Sequence, residues 1–154
     1  SGSGTEKDPF IISRPEELAL LAYRVNKGGD MSGKYFALGG DIDLSGKKWS
    51  PIGYSNRYLQ NKYQGYAFNG VFDGKNHTLR GIDEKESGYL SGLFGIAEDK
   101  AVIKNLSVCG RIENTNTDGY GVAAMIRAAA FGNVLRRCPF PARIPLHMPA
   151  ESAA

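Results

Sequence analysis

Residues 68–82 read FNGVFDGKNHTLRGI and residues 91–112 read SGLFGIAEDKAVIKNLSVCGRI. Val71, Thr78, Leu79 and Ile82 form short β-branched or aliphatic bursts, parted by Asn69-Gly70, Asp73-Gly74 and Asn76-His77. Those dipeptides tolerate positive φ, so each is expected to mark a sharp turn between short strands. Val102, Ile103, Leu106 and Val108 make two further apolar bursts, closed by Gly110. None is long enough for an amphipathic helix. The pattern predicts a chain that runs straight for a few residues, turns, and runs straight again, with Phe72, Leu79, Phe94, Ile103 and Leu106 in one core.

Gly92-Leu93-Phe94-Gly95 resembles the motif after which the GLUG repeat family is named. Phe72-Asp73-Gly74-Lys75-Asn76-His77-Thr78-Leu79, with its Asp73, Gly74 and His77, is similar to the run that precedes that motif in the family. The resemblance covers roughly Thr5 to Asp118. It implies an all-β fold, a right-handed parallel β-helix of about three to four coils with an N-terminal capping α-helix. It also implies a bacterial cell-surface setting, IgA-protease-like or adhesin-like. A fold does not fix an activity, so function has to be argued from sites.

Outward from this stretch, 154 residues with 42% hydrophobic content suffice for one domain and its core, and 20 glycines suit a turn-rich β architecture. No apolar run approaches the roughly 20 residues of a spanning helix, so no membrane span is expected. Ser1-Gly2-Ser3-Gly4 lacks the basic and apolar regions of a signal peptide. Residues 1–8 are therefore read as a linker or scar, residues 9–118 as capping helix plus β-helix coils, and residues 119–154 as a degraded, truncated or frame-shifted final repeat.

The helix is expected to start at a Ser13–Glu16 capping box with Pro15 in its first turn. Leu18, Leu21, Ala22 and Val25 share one face, and Asn26 to Gly29 ends the run. Tyr35–Leu38 and Ile42–Leu44 read as the first strands. Trp49-Ser50-Pro51-Ile52-Gly53 is similar to a W-x-P-I-G run of the same family, and Trp49 is expected to pack at a corner. From Tyr54 to Tyr66 the character changes to YSNRYLQNKYQGY, with no apolar periodicity. As a loop it would present Tyr54, Arg57, Tyr58, Asn61, Tyr63 and Tyr66 as candidate ligand contacts, rings for stacking and amide or guanidinium donors for hydrogen bonds. The competing reading lays these rings flat on the wall as cover.

Catalytic chemistry finds little support. Carbohydrate-active β-helices converge carboxylates, alone or around calcium. Asp41, Asp43, Asp73 and Asp83, with His77 as base, are the candidates, yet no pair has a diagnostic spacing. Asp41 and Asp73 flank glycine turns, where aspartate bonds its own backbone. Cys109 and Cys138 lack metal-ligand spacing, and Cys109 reads as a small buried thiol. No catalytic residue, metal or cofactor is expected.

The net charge of +3 arises beyond residue 118, where Arg127, Arg136, Arg137 and Arg143 oppose Glu151 alone. The rest of the chain is neutral, and phosphate-cradling loops and RNA-binding signatures are missing, so no nucleic-acid partner is expected. Gly92–Ile112 can be laid on Ala124–Ile144 as a second repeat copy, which replaces Gly92, Gly95 and Gly110 by Ala124, Arg127 and Ala142. Either a divergent terminal repeat or a shifted reading frame would produce this. A final coil so misfitted is expected to fray and leave the edge at Val102 to Val108 open to self-association.

The resulting expectation is a non-catalytic structural or adhesive module, extracellular or on the cell surface, whose partners are a surface glycan or a host protein. The alternative is a fragment of a β-helix polysaccharide lyase or glycoside hydrolase.

Overall fold

A computed structural model describes the backbone of residues 1–59, 62–85, 91–98, 100–113, 120–126 and 130–135, with side chains described within 1–54, 65–83, 92–98 and 100–111. In chain order the elements are β1 (Phe10–Ile12), α1 (Pro15–Asn26), β2 (Tyr35–Leu38), β3 (Ile42–Asp43), β4 (Tyr54–Leu59), β5 (Lys62–Tyr66), β6 (Val71–Lys85), β7 (Ser91–Ala97), β8 (Val102–Glu113), β9 (Tyr120–Ile126) and β10 (Ala130–Leu135).

The fold is mostly sheet, with one short helix and a parallel sheet at its centre. That sheet has the order β1-β2-β6-β8-β10, and β3 pairs with β6 beyond β2. Phe10 lies opposite Phe36, Phe36 opposite Phe72, Phe72 opposite Ile103 and Ile103 opposite Phe131. Each step across the sheet advances the chain by roughly thirty residues. A second parallel row joins Ile52 to Phe94 and Phe94 to Ala123.

Phe72, Leu79, Phe94, Ile103 and Leu106 are buried in one core, as expected. The Phe94 ring lies 5.2 Å from that of Phe68 and 5.5 Å from that of Phe72, in tilted and edge-on contacts. Such geometry adds about 0.5–1.5 kcal/mol per pair to the gain from burial.

The turn signals within β6 act differently from expectation. Pairing with β8 continues from Val71 to Lys85, and the register shifts between Asp73 and His77 and again between Leu79 and Ile82. Lys75 and Asn76 have φ of 50° and 64°, and Gly81 has φ of 74°. The left-handed residues therefore bend a continuous strand through bulges rather than ending it.

The α1 face of Leu18, Leu21, Ala22 and Val25 is buried as its spacing predicts. The expected Ser13–Glu16 box does not form. Arg14 is the N-cap without a side-chain capping bond, and Glu17 instead accepts from the Ser13 amide at 2.8 Å and the Arg14 guanidinium at 2.9 Å. Pro15 begins the helix one residue later than the box requires.

Residues 1–8, expected to be a linker, are tied to the sheet. The Ile11 amide bonds the Ser1 carbonyl and the Tyr35 amide bonds the Gly4 carbonyl, each at 2.9 Å. Gly4 is buried at φ 81°, with the Phe10 ring where a side chain would go.

The tail register is also corrected. β7 pairs with β9 so that Gly92 meets Gly121, and β8 pairs with β10 so that Leu106 meets Val134. Glycine thus stacks on glycine, where the alignment by residue type had set Gly92 on Ala124. The β8 edge expected to be open is paired with β10 from Val102 to Ser107, and β10 is the last strand in the order of that sheet. Residues 136–154, including Cys138 and Arg143, lie outside the described residues.

Candidate functional site

The motif residues come together first. Ile52 donates to the Leu93 carbonyl and Gly95 to the Ile52 carbonyl, both at 2.9 Å. The Trp49 indole, 5% exposed, donates to the Gly92 carbonyl at 3.0 Å. A Cβ on Gly95 would collide with the Gly53 carbonyl, and one on Gly53 with the Ile96 carbonyl. Gly53 also needs its freedom at φ 79°. Leu93 and Phe94 between these glycines are fully buried. The side-chain amide of Asn26 at the end of α1 donates to the Pro51 carbonyl and accepts from the Gly53 amide. Gly92, Leu93, Phe94 and Gly95 therefore form a structural clasp with residues 49–53, tied to α1.

The carboxylates have structural partners. Asp73 accepts from the Lys75 amide two residues on and from the Asn105 side chain on β8, with the Lys75 and Lys104 ammonium groups 3.5 and 3.8 Å away. Burial works against its charge, yet these donors and cations outweigh it and hold its pKa below the usual aspartate range. Gly74 beside it leaves no room for a Cβ against Leu106. Asp43 is held low by the Ser45 hydroxyl and amide and then by Arg80. Asp41 departs from the expected local turn. It accepts the Thr78 amide of β6 at 2.8 Å, which lowers its pKa, and its Oδ1 lies 3.4 Å from His77 Nδ1. Asp83 is exposed on β6. Among the described residues no group of three His, Cys, Asp or Glu is arranged to hold a metal, and Cys109 is a buried free thiol.

The tyrosine stretch is an antiparallel hairpin, not a loop. Tyr54 pairs with Tyr66, Arg57 with Gln64 and Tyr58 with Tyr63, with an irregularity between Ser55 and Arg57. Tyr66 is 52% exposed and Tyr54 half-buried. Asn61 lies outside the described residues, and for Arg57, Tyr58 and Tyr63 only the strand register is described. The Tyr66 ring rests against Gly28, just past α1, where an added Cβ would meet its Cε1 at 2.9 Å.

A hollow of about 870 Å³ adjoins this corner between α1 and β1, within the size range of ligand sites. Phe10, Ile12, Leu20 and Met31 contribute apolar lining, while Arg24 and Lys27 bring charge. Sequence reading missed this feature because it missed β1; the aromatic and β-branched Phe10-Ile11-Ile12 run was its available signal.

No family model matches the chain, and no solved structure matches it. Among curated proteins it is 31% identical over 117 residues to a protein of Evansella cellulosilytica, provisionally named as a Gly-rich membrane protein. The match covers 71% of this chain, which spans 12% of that relative's length. No helix among the described residues is long and apolar enough to cross a membrane.

Proposed function

We propose that the chain is a segment of a right-handed parallel β-helix of the GLUG-motif kind. It serves as a non-catalytic structural and adhesive module of a secreted or surface-anchored bacterial protein, and it contacts glycan through the tyrosine hairpin. The observation that carries the architecture is the register that sets Phe36, Phe72 and Ile103 side by side. The name of the Evansella relative accords with a surface setting.

Two further observations argue against Asp41, Asp43 or Asp73 as a general acid. Asp41, Asp43 and Asp73 each hold a backbone amide in place, and their pKa values all lie below the ordinary one. A glycosidase acid requires the opposite shift. The test is incubation with polysaccharides, comparing the native chain with Asp41→Asn, Asp43→Asn and Asp73→Asn. The expected result is altered stability and no turnover in any sample. Turnover that disappears in one variant would instead make this a fragment of a lyase or hydrolase.

A further inference from the structure

Building on the reading of a glycan-contacting module, we propose that its ligand is an acidic polysaccharide, bound at the C-terminal end of α1, where Tyr23, Arg24 and the capping Lys27 precede Gly28 and the Tyr66 ring of the hairpin that packs on it. Among the described residues the large apolar side chains left exposed are Leu20, Tyr23 and Tyr66, at 48%, 62% and 52%. Leu20, Tyr23 and Lys27 recur at helical spacing and line the hollow beside β1. The Lys27 ammonium stands over the Tyr23 ring, 5.8 Å from its centre. Gly28 follows at φ 86°, and the Tyr66 ring packs against it. The sequence of features along the surface is thus ring, cation, glycine, ring.

Charge decides which sugars suit this face. The carboxylates that line the same hollow, Glu17 and Asp30, are already engaged. Glu17 binds the Ser13 amide and Arg14, and Asp30 binds Ser32 and the Asn69 side chain. Arg24 and Lys27 form no ion pair among the described residues. The helix dipole favours cations at this end of α1, but it does not account for exposed rings on either side of them. Aromatic faces cover the apolar face of a sugar, while a guanidinium and an ammonium take up its carboxylate. A uronate gives Arg24 an anionic partner that a neutral sugar does not, and adds one for Lys27 beside its contact with the Tyr23 ring, so the site favours uronate-bearing chains. Each contact is weak, and repetition along a polymer supplies avidity.

The test is binding of the full chain to polygalacturonate and alginate, alongside fully methyl-esterified polygalacturonate, which keeps the backbone and loses the charge. The expected result is at least about tenfold tighter binding to the acidic polymers, a preference that fades with salt. Arg24→Gln with Lys27→Gln should abolish that preference without moving the melting temperature, and Tyr23→Ala or Tyr66→Ala should weaken binding to both forms. Equal binding of charged and esterified polymer, or a preference untouched by the double substitution, overturns the acidic-ligand inference and leaves the glycan reading standing. No binding to any of the three, or binding indifferent to all these variants, overturns both.

Discussion

Gly95 lies against Gly53 backbone to backbone, so close that the Gly53 carbonyl occupies the place of a Gly95 side chain. Two sequence motifs about forty residues apart therefore form one contact, a spacing consistent with stacked repeats. Gly95→Ala should force the strands apart and cost about 1–3 kcal/mol, as overpacking does. Gly40, which has open space around it, provides the control, and Gly40→Ala should stay within about 0.5 kcal/mol of the parent. Urea unfolding of both variants checks the contrast.

Trp49 binds across the same clasp. Trp49→Phe keeps most of the apolar volume but leaves the Gly92 carbonyl without the indole donor seen here. A lost hydrogen bond costs about 0.5–1.5 kcal/mol, so unfolding should shift to lower urea at unchanged slope.

Asn26 uses both ends of its amide, and this separates two otherwise similar variants. Asn26→Ala loses both bonds, while Asn26→Asp keeps an acceptor for Gly53 and sets a carboxylate against the Pro51 carbonyl. Both should lower the melting temperature, by roughly 2–4 °C per kcal/mol lost. For Asn26→Asp the loss should shrink when the carboxyl is protonated in acid.

The core and the helix face were legible because both rest on local pattern. Phe72, Leu79 and Ile103 sit in glycine-bounded bursts, and Leu18, Leu21 and Val25 at helical spacing. The hairpin was hidden because Gln60 and Asn61 supply no tight-turn pair and its strands lack apolar alternation. The tail register was misread because matching residue types favoured Gly92 on Ala124, whereas backbone stacking sets Gly92 on Gly121. For the candidate site, the exposed Tyr66 was visible in the sequence. The exposed Tyr23 was not, because helical spacing alone does not say that the Tyr66 ring packs on Gly28 just past the same helix.

Asp73 makes stability depend on acid. Its folded pKa is depressed, so its contribution is full above the ordinary aspartate value of about 3.9 and is lost as pH falls through the lower folded value. Asp73→Asn should be less stable than the parent at neutral pH and should lose less on acidification. Thermal unfolding from pH 6 down to pH 2 checks this, with the two curves converging at the acid end.

The parallel stack itself is tested most directly by nuclear Overhauser contacts across the Phe36, Phe72 and Ile103 row. The account predicts amide-to-amide and amide-to-α contacts linking each to the next at the spacing of adjacent strands, about 4.8 Å. Strong α-to-α contacts between these segments, the mark of antiparallel pairing with its close Cα approach, would contradict it.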